Sequence, residues 1–94
     1  NITDWPAMYA LTDNMLLEID AVIEASDGAW GGLEIKLGHN QADRAAANLL
    51  RVRNKVVAAG GRPPSFLAVV EGLGTYAYTR PDGVHVVPIQ TLCP

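Results

Sequence analysis

Cysteine is nearly absent from this chain of 94 residues, and Cys93 is the only one. A single thiol cannot form an internal disulfide and cannot complete a zinc site alone, so neither device can cross-link the fold. We interpret Cys93 as an incidental thiol near the chain end. Because one unpaired thiol is typical of a reducing compartment, we expect a cytoplasmic protein.

Long apolar runs are missing as well. None approaches the roughly 18–20 residues of a membrane-spanning helix, so we expect no membrane partner. Apolar residues still make up 49% of the chain, enough for one hydrophobic core and unlike the composition of a disordered chain. We expect residues 1–94 to form a single domain. Because residue 1 is asparagine rather than methionine, we also expect a fragment of a longer protein.

Basic residues are absent from the first third of the chain. Residues 1–34 contain seven acids and no lysine or arginine, whereas residues 35–94 contain seven bases and three acids. The two parts therefore carry net charges of −7 and +4. The total of −3 argues against a generally basic nucleic-acid-binding surface. The split would confine any contact with phosphate to one side of the domain.

Alternation of apolar and polar residues predicts strands before residue 38, and an amphipathic pattern predicts one helix after it. Asn40 is the expected N-cap of this helix, and Gly60-Gly61 should end it. Apolar runs and a turn at residues 80–83 predict the remaining strands. The predicted strands cover residues 6–11, 15–24, 30–37, 66–70, 76–79 and 84–89, and the helix covers residues 41–59.

The expected element order is β-β-β-α-β-β-β, an α/β (α+β mixed) fold with a mixed sheet and one long helix on a face. The helix connects the third and fourth strands, so these two can lie parallel through a right-handed crossover.

The loop at Ser26-Asp27-Gly28 decides which acidic residues share a face. A two-residue loop would pair Asp20 with Ile35, whereas a three-residue loop with a glycine bulge pairs Asp20 with Glu34. The hydrophobic pattern favours the three-residue loop, because it gathers the apolar residues of both strands on one side. These are Leu17, Ile19, Ala21, Ile23, Leu33, Ile35 and Leu37.

Asp20, Glu34 and Lys36 then form a cluster on one hairpin, with Glu18 adjacent. Two neighbouring carboxylates repel each other and favour a bound cation. Mg²⁺ or Mn²⁺ fits, since one or two carboxylates hold such an ion and leave room for water and phosphate. A nearby lysine can orient an attacking water or stabilise charge on a phosphate. The cluster therefore predicts a metal at Asp20 and Glu34, with Lys36 as a third catalytic residue.

The pattern Asp20…Glu34-Ile35-Lys36 resembles the motif of the PD-(D/E)XK nuclease superfamily. Its placement on a hairpin followed by a helix and a strand resembles the restriction-endonuclease-like core. The resemblance implies metal-dependent hydrolysis of DNA. This chain departs from the family pattern, since Ile19 stands where the family often has proline and no acid-bearing helix precedes the first strand.

Longer segments resemble the C-terminal domain, of unknown function, of a bacterial and archaeal family of AAA-type ATP-binding proteins. These segments are residues 18–24, 27–38 and 79–89. The resemblance implies an upstream ATPase domain as the partner in the same chain. No P-loop motif occurs in these 94 residues, so we expect no ATP site within this fragment.

Arg44, Arg51 and Lys55 lie at spacings of seven and four on one stripe of the predicted helix. They are candidates for contact with the DNA backbone, and an ordinary solvated helix face is the alternative. Gln41 and Asn48 lie along the same side and could touch substrate. His39 could approach phosphate or metal from the loop before the helix. We expect Glu18 to pair with Lys36 across the strands.

Three functions remain open from the residues alone. The first is a metal-dependent phosphodiesterase acting on DNA. The second is a catalytically inactive domain that binds nucleic acid or a protein and regulates the ATPase. The third is a structural or oligomerisation module, because one fold serves many functions.

Overall fold

The computed structural model describes residues 18–38, 40–74 and 76–92. This part of the chain has an α+β fold with a mixed five-stranded sheet and one α-helix. The elements are β1 (Ala21–Glu24), β2 (Trp30–Lys36), α1 (Ala42–Ala58), β3 (Phe66–Glu71), β4 (Tyr78–Thr79), β5 (His85–Pro88) and a final 3₁₀ helix (Ile89–Leu92).

The observed element order in these residues is β-β-α-β-β-β, with two strands before the helix rather than the three we expected. The predicted strand at residues 6–11 lies outside the described residues. The predicted strand at 15–24 is too long, since β1 begins at Ala21 and residues 18–20 form a turn and bend.

The sheet has the strand order β1-β2-β3-β5-β4. β1 pairs antiparallel with β2. β2 pairs parallel with β3, the strand that follows α1 in the sequence. β5 lies parallel to β3, and the short β4 pairs antiparallel with β5 at the sheet edge. The mixed sheet, the single long helix and the parallel pairing across the helix are confirmed.

Helix α1 begins one residue later than predicted, and Asn40 is not its N-cap. Gln41 occupies the cap with φ −108° and ψ −3°, and its side chain makes no capping hydrogen bond. Asn40 has φ 60°, a left-handed conformation that asparagine tolerates better than most residues. It therefore belongs to the turn after β2 rather than to the helix start.

The end of α1 matches the sequence prediction. Gly60 has φ 86°, and its N–H donates to the Val57 carbonyl at 3.0 Å. The Gly61 N–H donates to the Val56 carbonyl at 2.8 Å. This pair of bonds is the Schellman arrangement, in which glycine takes the left-handed position without a steric penalty.

One face of the sheet packs against α1 and forms the core. Leu49 and Val52 of the helix are buried together with Val69 and Val86 of the two central strands. Trp30 is also fully buried, and its indole N–H donates to the Arg62 carbonyl at 2.7 Å, which satisfies its one polar atom.

The hairpin face that we expected to be the apolar side is the face turned away from α1. Ile23 is 51% exposed, Ile35 is 46% exposed and Leu37 is 69% exposed. The alternate residues of β2, including Glu34, lie beneath the helix. Alternation separates the two faces of a strand, but it does not say which face the helix covers.

Candidate active site

The site starts from the hairpin turn between β1 and β2. The Ala25 N–H donates to the Ala29 carbonyl at 2.8 Å, and the Gly28 N–H donates to the Ala25 carbonyl at 3.0 Å. Gly28 has φ 90°, as the bulge position of a three-residue loop requires. The predicted loop and register are confirmed, with Ala21 opposite Leu33 and Glu24 opposite Trp30.

Continuing this register by one step places position 20 opposite position 34. Asp20 lies just before β1, however, and its side chain makes the hydrogen bond to β2 that a backbone carbonyl would make in a longer strand. Its Oδ2 accepts the backbone N–H of Ile35 at 2.6 Å. The exposed Asp20 carboxylate therefore lies at the edge of β2, immediately beside the Glu34–Ile35 peptide.

β1 begins only at Ala21 because the preceding Ile19 turns beneath the helix. Ile19 is 3% exposed, and its Cδ1 lies 3.0 Å from where a Cβ on Gly32 would be. Our prediction that Ile19 shares a face with Leu33 and Ile35 is therefore wrong. Burial of this apolar side chain stabilises the fold, and the Asp20 carboxylate replaces one backbone hydrogen bond that a longer β1 would make to Ile35.

Glu34 is the one buried charged residue among the described residues, at 5% exposure. Its Oε1 accepts the Asn48 side-chain N–H at 2.7 Å. Its Oε2 lies 3.6 Å from the Lys36 ammonium. Both oxygens thus have a polar neighbour, as a buried carboxylate requires.

Glu18 does not pair with Lys36, so that prediction is wrong. Glu18 Oε1 lies 2.5 Å from the Lys55 ammonium on α1, whereas Lys36 turns to Glu34. The cause is the same turn at residues 18–20, which moves Glu18 from the β2 register to the helix.

Two of the three basic residues in the helix stripe interact with other residues of the chain. Lys55 pairs with Glu18, and Arg51 donates to the Asn48 side-chain oxygen. Arg44 is exposed and makes no hydrogen bond or ion pair within the described part of the chain. Gln41 is exposed at the start of the helix, whereas Asn48 turns inward to Glu34. His39 and Cys93 lie outside the described residues.

The oxygen atoms near the end of β2 are of the chemical type that hard divalent cations bind. In a paired strand, the N–H and C=O of one residue point toward the same neighbour. The Ile35 carbonyl therefore points to the edge where Asp20 binds the Ile35 N–H. Two carboxylates and one carbonyl are ligands that Mg²⁺ accepts. In residues 18–38, 40–74 and 76–92, no group of three or more His, Cys, Asp or Glu side chains could hold a metal.

A second charged cluster lies where the β4–β5 hairpin meets the start of α1. Arg80 contacts Asp43 at 2.6 Å and Asp82 at 3.2 Å. The hydrogen bond to Asp43 raises the pKa of Arg80. Burial opposes ionisation of Asp82, but hydrogen bonds from the Val84 N–H and from Arg80 outweigh it and lower the pKa of Asp82. This cluster connects the β4–β5 hairpin to the first turn of α1.

Sequence reasoning missed the central role of Asn48 within this site. Its position on the cation stripe was visible, but an amide on a helix carries no signal of which strand residue it meets. That contact forms only because α1 packs across β2 in the folded protein.

No protein-family model, curated protein or solved structure matches this chain. The part of the chain that the structure describes contains no helix with the length and apolar character needed to cross a membrane.

Proposed function

We propose that this domain hydrolyses phosphodiester bonds of DNA with a divalent metal ion held by Asp20 and Glu34. The observation that carries the proposal is the three-residue hairpin register, which brings Asp20 to the edge of β2 beside Glu34. The restriction-endonuclease-like core and the PD-(D/E)XK assignment belong to this proposal.

Each residue of the site has a role that its surroundings support. Asp20 and Glu34 would hold Mg²⁺ or Mn²⁺, which when bound supplies a Lewis acid and lowers the pKa of a water ligand. Lys36 lies 3.6 Å from Glu34 with its side chain partly exposed. A lysine there can orient the attacking water or stabilise the developing charge on phosphate.

DNA is the proposed substrate because basic side chains lie along α1, the helix that packs over Glu34. Arg44 is exposed, and Lys55 keeps 59% of its side chain exposed despite its pairing with Glu18. Arg51 lies between them in sequence, on an exposed position of the helix. We propose that these three contact the phosphate backbone. The sequence resemblance supports an upstream ATPase domain as the partner in the chain.

A second candidate function is favoured by the partners of Glu34. Asn48 and Lys36 already give both oxygens of its carboxylate a polar partner, so the carboxylate does not need a cation to be satisfied. A catalytically inactive domain that binds nucleic acid or a regulatory protein would need no more than this.

A metal titration tests the proposal. Wild type should bind Mn²⁺, measured by calorimetry, and Glu34→Ala should abolish the binding. Glu24→Ala is the matched control, because it removes an exposed acid from the same hairpin and should bind as wild type does. Equal binding by wild type and Glu34→Ala would remove the metal site from consideration.

A cleavage assay separates the two candidate functions. Supercoiled plasmid should be nicked by wild type with Mn²⁺, whereas Lys36→Ala should bind Mn²⁺ and leave the plasmid intact. DNA binding that weakens steeply with salt, without any nicking, would instead identify the inactive binding domain.

A further inference from the structure

Asn48 has every hydrogen-bonding group of its side chain occupied. Its Nδ2 donates to Glu34 Oε1 at 2.7 Å and to the Glu18 carbonyl at 2.7 Å. Its Oδ1 accepts from the Arg51 guanidinium. An asparagine amide offers two N–H donors and one carbonyl oxygen, so one side chain joins β2, the turn before β1 and the helix itself.

The three partners allow only one orientation of this amide. Rotating it by 180° would put its oxygen against the Glu34 carboxylate and the Glu18 carbonyl, where acceptor faces acceptor. The same rotation would put its NH₂ group against the Arg51 guanidinium, where donor faces donor. The amide therefore presents a donor to Glu34, and the buried carboxylate has a defined partner.

We propose that Asn48 is a positioning residue for Glu34, an inference that deepens the proposed metal site and rests on it. Asn48 holds Oε1, so the oxygen left for a cation is Oε2, which accepts no hydrogen bond in the described residues and pairs with Lys36 at the longer distance of 3.6 Å. Metal ligands are commonly held in place by such outer partners, and losing one lowers metal affinity by roughly 10- to 100-fold.

The position of the Glu34 carboxylate in crystal structures tests this without any metal. Asn48→Ala should displace the carboxylate or give it two conformations, while the β2 backbone stays in place. Asn48→Asp has the shape of asparagine but cannot donate, so it should also move the carboxylate and serves if the alanine variant does not fold. Asn54→Ala on an exposed position of the same helix is the control. An unmoved Glu34 carboxylate in the Asn48 variant would overturn the inference.

Metal affinity supplies the second measurement. In a Mn²⁺ titration, Asn48→Ala should bind about 10-fold or more weakly than wild type, and Asn54→Ala should bind equally. Unchanged affinity in Asn48→Ala overturns the positioning role. If wild type binds no Mn²⁺, the proposed function fails, whereas the crystal structures still decide whether Asn48 positions Glu34.

Discussion

The two halves of β2 lie under the same helix but differ in character. The first half, Trp30 to Gly32, is buried among apolar side chains that include Leu49 of α1. The second half, Glu34 to Lys36, meets the polar Asn48 of the same helix. Leu49 and Asn48 are adjacent in sequence, so one step along α1 separates a hydrophobic core from a hydrogen-bonded carboxylate.

This difference places apolar packing at one end of the strand and a buried carboxylate with polar partners at the other. Burying an apolar side chain stabilises the fold directly. A buried carboxylate with its partners contributes little net stability, because its desolvation offsets the hydrogen bonds. We therefore expect the apolar half to carry the stability of the fold and the polar half to carry the proposed function, and the predictions below test that separation.

The largest effect is expected in the apolar half. Leu49→Ala should lower the free energy of unfolding by about 2–5 kcal/mol, because it removes a fully buried side chain and leaves a cavity. Urea denaturation followed by circular dichroism measures the change. Val57→Ala, which truncates an exposed valine of the same helix, should have little effect. If Leu49→Ala lowers the free energy of unfolding no more than Val57→Ala does, the apolar half of β2 does not carry the stability of the fold.

A smaller effect is expected from Glu34→Gln in the polar half. The glutamine oxygen can still accept the Asn48 N–H, and only the ion pair with Lys36 is lost. We expect a change in unfolding free energy within about 1 kcal/mol, the usual net value of one hydrogen bond or ion pair, by the same denaturation. If this variant is destabilised as much as Leu49→Ala, the proposed separation of stability from chemistry is wrong.

Lys55→Ala should have a still smaller effect at the margin of the polar half. It removes the ion pair between Lys55 and Glu18. The Lys55 side chain in this pair is 59% exposed. Exposed pairs contribute about 0.2–1 kcal/mol and are screened by salt. Denaturation at low and high NaCl should show the loss only at low salt. Arg44→Ala is the control without an ion pair in the described residues, and a loss that persists in high salt would mean that Lys55 acts through packing instead.

The smallest effect is expected at Asp27, in the turn that leads into the apolar half. The hydrogen bond from the Ala29 N–H lowers the pKa of Asp27 below its usual 3.8. A carboxyl whose folded pKa is lowered stabilises the fold above the unfolded pKa, and this contribution disappears as pH falls through the folded value. Stability measured from pH 5 to pH 2 should therefore fall less in Asp27→Asn than in wild type. Parallel curves would show that the bond to Ala29 does not depend on the charge.

The local features of the fold could be predicted from the residues near them. Ser26-Asp27-Gly28 predicted a three-residue turn because glycine is needed at the bulge, and Gly60-Gly61 predicted the helix end for the same conformational reason. The extent of the first hairpin strand could not be predicted, because Ile19 leaves the strand for a core contact made by a helix some 30 residues later. Asn40 was misplaced because asparagine favours both N-caps and left-handed turns, and here it adopts the left-handed turn conformation while Gln41 takes the cap.

The features of the candidate site also divide into those that neighbouring residues predicted and those that depend on tertiary contacts. Asp20, Glu34 and Lys36 could be selected from spacing and hairpin register, since both depend on a few neighbouring residues. The pairing of Glu18 with Lys55 and the contact of Asn48 with Glu34 could not, because each joins segments that are distant in sequence.

By itself the sequence determined the long helix and its glycine end, the strands on either side of the helix and the register of the first hairpin, because these follow from local conformational preferences and from alternation within one strand. Only the tertiary structure decided which face of the hairpin α1 covers. That choice depends on the sum of contacts between the helix and the whole sheet. It placed the acidic face of β2 under the helix, and this packing is what gives Glu34 its burial and its partner Asn48.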